Sequence, residues 1–513
     1  MKKELNVAFR LNGGIGTYIY ELNFIYYFWG KYKCHIDIFA SNNDELNYGL
    51  AAGQEFIENI YPRSKFTKDY KYALIIDLNW FPNIQYVDYK RITDVSLIQI
   101  LNKWQDFYDN ESYNNFFRND DMYEYSIYQY CIAKEKNRMD VSDIGDDFSI
   151  EKDYFKYKLK TTLNEEKILC NFNLYDDEYV TFQYGVNQNT SSGYSPKMWI
   201  PEQIKNFFKA YKDLNKNVKI VQLGESHEDY FLDVVDVCLV NKTSFEELKI
   251  LLKHAKYHLD GECGMVHMRN SLCNKPSIVL FGQTPLQIYA HKSDINLENN
   301  NCNIGCSKLF TGWKKRCLLG DEKPRCMANI TADMVLERIK RYEVGACDSF
   351  NILKTKNKLD EIISNPNISI DKEWANDWLK KQHIYDYFVE EISVGELLFA
   401  KITEDGLELH HLNKSPAYIY FAGDENMYSK YMQTCFKVNK KNEHSVEKIK
   451  KLKESLDKDF DSSKMIVVDG MNCILDGAHR ASYLLNKYGK DYKVNILKIY
   501  CRNFGGARSF IKF

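Results

Sequence analysis

The segment Asp260-Gly261-Glu262-Cys263-Gly264-Met265-Val266-His267 gathers two carboxyls and an imidazole around two glycines. Glycines that follow a strand let the backbone come close to a ligand, and the free amides and positive end of the next helix favour an anion there. A pyrophosphate suits such a place. His267, one turn into the helix, is then a donor to a phosphate oxygen, while Asp260 and Glu262 accept from sugar or ribose hydroxyls. A glycine-rich turn between strand and helix also serves packing alone, and spacing by itself leaves both readings open.

Two further constellations carry chemistry. Cys302, Cys306, Cys317 and Cys326 put four thiols within twenty-five residues, with Gly, Lys and Arg between them. That set suits a tetrahedral sulfur site in which nearby cations keep the thiols ionised. Zinc is the chemical default for it and iron is compatible. The run Asp476-Gly477-Ala478-His479-Arg480 sets an imidazole and a guanidinium beside the free amides of a helix N-terminus, which suits phosphate.

The elements that must position these groups are legible as hydrophobic periodicity. Residues 5–11 read as a strand, Asn12 to Gly16 as a glycine turn and 17–29 as a helix. Residues 35–39 and 73–77 are short apolar strands bounded by polar residues, as in a parallel sheet buried on both faces. Residues 102–167 are rich in Tyr, Asp and Asn and read as an elaboration closing this first domain. A second alternation follows: strand 180–184, helix 201–214, strand 218–224, a helix opened by a Ser244/Glu247 capping box, strand 257–260, a helix from Gly264 and strand 276–281. The expectation is two doubly wound Rossmann-like domains, 1–168 and 169–345, facing each other across a cleft, the second carrying the four-cysteine finger at 302–326. Residues 346–385 read as a polar helical linker and 386–513 as a small α+β domain.

Composition narrows the partners. Lys plus Arg number 69 against 71 Asp plus Glu, a formal net charge of -2, which gives no global pull toward nucleic acid or a membrane surface. Any anionic ligand must be held locally. Arg10 and Gly13-Gly14 interrupt the apolar start, and no apolar run is long enough to span a bilayer. A cytoplasmic location is expected, and there fourteen cysteines point to metal or catalysis rather than disulfides.

The acidic-x-Gly-x-x-His element of Glu262, Gly264 and His267, the Lys275-Pro276 strand after it, and Phe281-Gly282 with Thr284 resemble the corresponding run of glycosyltransferase family 9, the heptosyltransferase family. The Asp-Gly-Glu variant is most similar to the bacterial autotransporter heptosyltransferases, which glycosylate serines of secreted adhesins. The resemblance extends to Gln222-Leu223-Gly224, Asn241-Lys242-Thr243-Ser244 with Glu247-Leu248, and Lys197-x-Trp199. It covers roughly residues 5–340.

That resemblance implies a GT-B fold, a nucleotide-diphosphate-heptose donor, usually ADP-heptose, and inversion by direct displacement onto a hydroxyl of a protein serine or surface glycan. The donor-binding positions it implies are Gly13, Gly14, Gly16, Lys197, Gly224, Thr243, Ser244, Asp260, Glu262, Gly264, Met265, Val266 and His267. Thr243 and Ser244 either touch donor phosphate or cap their helix, capping being the simpler role. Such an enzyme must deprotonate the acceptor and stabilise the leaving diphosphate. Family members commonly carry Gly-Asp where this chain has Gly16-Thr17, and a threonine is no base at neutral pH. Asp77, ending a strand that faces the cleft, is the expected substitute. The cysteine region, down to Cys326-Met327 and the helix after it, resembles the autotransporter enzymes closely and implies structural iron, at a subunit contact in a homo-oligomer. Residues 388–500 resemble the ParB/sulfiredoxin superfamily, which implies phosphate or nucleotide binding, ATP or ADP with Mg, at Asp476, Gly477, His479 and Arg480, with Glu396 where some kinase members place an acid. A chain this neutral argues against a DNA-clamp role. The alternative expectation is a non-catalytic sugar-nucleotide-binding front half with a phosphotransferase at the C-terminus.

Overall fold

The computed structural model describes residues 5–41, 43–67, 71–109, 127–128, 130–131, 134, 136–185, 195–225, 231–298, 306–307, 313, 315–318, 320–345, 358–371, 375, 379, 384–403, 406–430, 446–458, 463–469 and 472–501. The chain divides into two compact units. One comprises residues 1–299 and 327–350, the other 300–326 and 351–513. Both parallel sheets belong to the first unit, and the segment expected as a finger of the second α/β domain is grouped with the C-terminal residues.

The first sheet has strands β1 (Asn6–Leu11), β2 (His35–Ala40), β3 (Asn59–Pro62), β4 (Leu74–Leu78) and β5 (Pro82–Val87) in the order β3-β2-β1-β4-β5. All pairs are parallel except β4 with β5. Val7, Ala8 and Phe9 of β1 are buried as a continuous run, and Leu11 after them, because both faces of the sheet are covered. On one face lie α1 (Ile15–Tyr32) and α3 (Val95–Asp109), which contribute Phe24, Phe28 and Trp104 to the core. Phe39, Tyr72 and Ile75 pack together on the other. Between β2 and β3 runs α2 (Asp44–Ala51), capped by Asn43.

The second sheet is built from β6 (Tyr179–Gln183), β7 (Lys219–Leu223), β8 (Val237–Cys238), β9 (His258–Gly261), β10 (Ile278–Phe281) and β11 (Ile295–Glu298) in the order β11-β10-β9-β6-β7-β8, parallel throughout. Helices α4 (Glu165–Asn171), α5 (Pro201–Leu214), α6 (Phe245–His254) and α7 (Gly264–Leu272) connect and cover it, and α8 (Ala332–Glu343) packs beside α5. In both sheets the strand order reverses beside the first strand, between β1 and β4 and between β6 and β9. Those reversals are where doubly wound sheets leave a crevice at the strand C-terminal ends.

The second unit is α+β. Strands β12 (Ile384–Ser393), β15 (Ile466–Asp469), β16 (Ile474–Asp476) and β17 (Lys493–Cys501) form a mixed sheet in the order β12-β17-β15-β16, beside a hairpin of β13 (Leu398–Thr403) and β14 (Gly406–His411). Period-two alternation splits its residues between two cores. Ile466, Val468 and Ile496 join one with Leu484 of α12 (Ala478–Tyr488), while Val467 and Leu497 join the other with Ile362 of α9 (Leu359–Ser364). Helices α10 (Pro416–Phe421) and α11 (Val446–Lys458) complete the first of these cores. Among the described residues, no helix is long and apolar enough to cross a membrane.

Candidate functional site

The N-termini of α1 and α7 meet inside the first unit. The chain leaves β1 at Leu11 and turns at Gly13, whose φ of +135° lies in a region that L side chains rarely adopt. The N-caps are Gly14 for α1 and Cys263 for α7, and neither makes a side-chain cap hydrogen bond. Two sets of first-turn amides, each with the positive end of its helix, are therefore without a side-chain cap in one place. The approach depends on two glycines. A Cβ on Gly16 would stand 2.7 Å from His267 Cδ2, and one on Gly264 would stand 2.9 Å from Ile15 Cβ and 3.2 Å from the Gly16 nitrogen.

Behind the two termini lies a buried polar chain. His267 Nε2 is 3.0 Å from Glu262 Oε1, and Lys197 Nζ donates to Glu262 Oε2 at 2.7 Å and to the Glu262 carbonyl at 2.9 Å. Burial alone would raise the Glu262 carboxyl, yet Lys197 and His267 override it and hold the group well below the ordinary carboxylate range. Glu262 is thus an ionised acceptor, which assigns the proton on His267 Nε2 as its donor. On the other edge of the ring, Nδ1 lies 2.8 Å from His291 Nε2 and 3.1 Å from the Tyr20 hydroxyl. Burial and the neighbouring His267 push His291 far down, so it is neutral. Tyr20, pushed up by burial and by Glu262, stays a phenol.

A cleft opens at the C-terminal ends of β6, β9 and β10, lined by Gly185, Lys197, Trp199, Asp260 and Gly261 among others. It sits at the strand-order reversal of the second sheet and shares Lys197 with the buried chain. Trp199 is fixed there by its indole N–H, which donates to the Ile330 carbonyl at 2.8 Å. Asp260 accepts from the Gly261 amide at 2.7 Å and from the Cys263 thiol at 2.9 Å, so its oxygens are engaged in shaping the turn.

The other expected site residues distribute as follows. Met265 and Val266 are buried in the first turn of α7, and Gly224 follows β7, its carbonyl accepting from the Asn241 amide at 2.8 Å. Ser244 closes a full capping box with Glu247 at the start of α6, with Thr243 just before it. Asp77, in β4, makes a two-pronged ion pair with Arg10 of β1. The spacing of motifs did not reveal Tyr20, Glu21, Arg138 or His291. The signal that could have found Glu21 is a single acid inside the apolar run of α1, where Tyr18 to Ile25 are all buried.

The described residues do not fit a metal centre. Cys306, Cys317 and Cys326 are each buried, but among the described residues no three His, Cys, Asp or Glu side chains come together to hold an ion. Cys302 lies outside the described residues. Cys317 Sγ is 3.9 Å from an oxygen of Asp321, itself paired with Arg325.

In the second unit, Asp476 ends β16, Gly477 is the N-cap of α12 in the left-handed conformation, and His479 and Arg480 fall in the first turn. Burial raises the Asp476 carboxyl, with Arg480 opposing. His479 Nε2 lies 2.9 Å from the Tyr428 hydroxyl, and Arg480 donates to the Lys464 carbonyl at 2.5 Å. Glu396 is exposed and closes a capping box with Ser393, in a turn whose Gly395 amide donates to the Lys490 carbonyl at 2.9 Å. Lys490 lies past the C-terminal end of α12, so the structure does not bring Glu396 to the Asp476–Arg480 turn.

Fold and site together define an α/β protein of GT-B type, two Rossmann-like sheets with an anion-suited site where two helix N-termini meet. No family model matches the chain, and no curated protein matches it. Among solved structures the chain is similar to a glycosyl transferase family 9 protein from Veillonella parvula DSM 2008, at 13% identity over 67% of this chain and 98% of that one, with a TM-score of 0.43. It is also similar to E. coli ADP-heptose lps heptosyltransferase II, at 13% identity over 66% and 99% of the two chains and a TM-score of 0.40. A third is the dodecameric iron-containing heptosyltransferase TibC, in complex with ADP-D-beta-D-heptose, at 13% identity over 67% and 78% and a TM-score of 0.41.

Proposed function

We propose that the first unit is a glycosyltransferase that takes a sugar from a nucleoside-diphosphate donor, heptose from ADP-heptose being the first candidate, and passes it with inversion to a hydroxyl of a protein serine or surface glycan. The observation that carries this reading is the meeting of two uncapped helix N-termini over the Glu262–His267–Lys197 cluster, beside the reversal-point cleft. Under it the nucleoside lies in the cleft by Trp199 and the diphosphate lies against the α7 amides. As the acceptor oxygen bonds to the anomeric carbon, the bond from that carbon to phosphate oxygen breaks and its electron pair leaves on the diphosphate. Lys197, the helix amides and His267 stabilise that growing charge, while Glu262 keeps the imidazole and ammonium oriented. The Asp476-Gly477-Ala478-His479-Arg480 turn of the second unit is proposed as a separate phosphate-binding element.

One observation favours a second reading. Asp77 is occupied by Arg10, so if no other base serves, the first unit binds a sugar nucleotide without turning it over and phosphoryl chemistry falls to the second unit. Incubating the full chain with ADP-heptose, UDP-sugars or GDP-sugars, with and without serine-peptide and glycan acceptors, separates the two. Acceptor-dependent release of nucleoside diphosphate that His267→Ala abolishes supports transfer. Binding of the donor without release supports the second reading.

A further inference from the structure

Glu21 is fully buried on α1, and among the described residues neither carboxyl oxygen makes a well-formed hydrogen bond, the Asn12 peptide N–H being a looser partner. Arg138 is 2% exposed, and its Nη1 is without a partner among the described residues. Arg138 is otherwise held firmly, with Nη2 donating to the Asn79 carbonyl at 2.9 Å and the guanidinium over the rings of Trp80 and Tyr20. The two groups feel one another's charge, and the Asn12 peptide and Arg63 act on Glu21 as well. Arg63 itself donates to the Leu11 carbonyl. Leu11 ends β1 and Asn79 follows β4, so this place is the strand-order reversal of the first sheet, the counterpart of the cleft in the second.

Helical spacing brings Glu21 there. It lies one turn beyond Thr17, whose side chain sits against Gly13, and long helical side chains lean back toward the N-terminus. The carboxyl therefore reaches the glycine turn rather than the body of the core. Polar groups of opposite charge without well-formed partners are costly to bury, and a structure that keeps both within reach of one another's charge is matched to something that satisfies both. A carboxylate that needs a donor and a guanidinium that needs an acceptor fit a hydroxyl, which donates to the first and accepts from the second.

We infer that Glu21 is the group that takes the proton from the acceptor hydroxyl, with Arg138 holding that hydroxyl's oxygen. The inference rests on the transfer reading and deepens it. The acceptor O–H bond breaks and its proton passes to a Glu21 oxygen as the acceptor oxygen bonds to the anomeric carbon. The electron pair of the broken sugar–phosphate bond leaves with the diphosphate. Burial raises the Glu21 carboxyl well above its ordinary range, with Arg138, the Asn12 peptide and Arg63 opposing that rise. A carboxylate so held is a stronger base than a solvated one.

The test is Glu21→Gln in the full chain, assayed with whichever of ADP-heptose, UDP-sugar or GDP-sugar the unaltered protein turns over. The expected result is a fall in kcat of about 10²- to 10⁴-fold, ADP, UDP or GDP binding unchanged, and loss of the acid limb of the pH–rate profile. A kcat within about threefold of the unaltered chain overturns the role of Glu21 and leaves the transferase standing, since removal of a working base costs far more. If the unaltered chain turns over none of the three donors, the transfer reading and this inference fall together. Should Glu21→Gln not fold by circular dichroism, Glu21→Asp decides, because a working base shifts the acid limb when its reach is shortened and an unshifted limb overturns the role.

Discussion

Glu262 is ionised in a buried place only because two partners keep it so, and removing one exposes the cost. Lys197→Met leaves a buried carboxylate short of its main cation, a change expected to destabilise the first unit by about 3–5 kcal/mol at neutral pH. Glu262 is depressed in the folded chain, so its contribution is present above the unfolded value of about 4.3 and is lost as pH falls through the lower folded value. In Lys197→Met the folded value rises instead, and the penalty should shrink on acidification. Urea unfolding of both chains at about pH 5 and about pH 7.5 checks sign and size. Gly16→Ala makes the complementary point. Alanine favours a helix over glycine by up to about 1 kcal/mol. Here its methyl group meets His267 at 2.7 Å. The clash should win, giving a chain about 1–3 kcal/mol less stable with weaker nucleoside-diphosphate binding, measured by urea unfolding and calorimetry. At this scale the sequence disclosed the groups that stand in a motif, Glu262, Gly264 and His267. It did not disclose Glu21, Arg138 or His291, which reach the same region from α1 and from segments far apart along the chain, and whose meaning lies in what each fails to pair with.

Among the elements, α6 and the β10–β11 connection make separable claims. Ser244 accepts from the Glu247 amide and its own amide donates to the Glu247 carboxylate, so a capping role is fully accounted for. Ser244→Ala should cost about 1 kcal/mol in urea unfolding and leave nucleoside-diphosphate affinity unchanged. A tenfold loss of affinity instead would give Ser244 to the donor phosphate. Asp294 ties the start of β10 to α7, accepting from the Ser277 amide and the Asn270 side chain, each at 2.8 Å. Burial outweighs those bonds and raises its carboxyl to about 7. A raised carboxyl gives stability that is whole below the unfolded value of about 3.9 and is lost as pH rises through the folded one. Asp294→Asn should therefore remove a slope of up to about 1.4 kcal/mol per pH unit between those limits, read from unfolding curves across that window. The long elements were legible: 201–214 is helical from Pro201 to Leu214, and β1, β2, β4, β6, β7, β9 and β10 each fall within two residues of an expected strand. Among the elements missed were α2, β3, β5, β8 and β11. β3 is four residues long and ends in Pro62, and β5 opens at Pro82 and carries Asn83 and Gln85, so these edge strands lack the apolar run that marks a central one.

At the scale of the whole molecule, two separately cored units on one near-neutral chain ask which of them does the chemistry. The cores are distinct: Phe9, Phe24 and Leu251 belong to one, Val468, Leu484 and Ile496 to another. Alternating strand and helix patterns made the first unit readable as two Rossmann-like halves, because buried parallel strands are continuous apolar runs. The second unit was less readable, since β12 and β17 are long and β12 carries exposed Phe388 and Val389 that blur the alternation. Every strand of both parallel sheets lies before residue 299, and α8 ends at Glu343. A chain ending at residue 345 therefore keeps the Glu262–His267–Lys197 cluster, the cleft and the Glu21–Arg138 pair. It is expected to bind ADP within about threefold of the full chain's affinity, measured by calorimetry, because the cluster and the cleft are built from residues between 182 and 280. Its turnover then discriminates. Sugar transfer by residues 1–345 at the full chain's rate confines catalysis to the facing helix N-termini and makes the second unit an accessory. Binding without transfer means that the charge network described here holds a sugar nucleotide for chemistry carried out elsewhere on the chain, and the Asp476–Arg480 turn becomes the place to look for it.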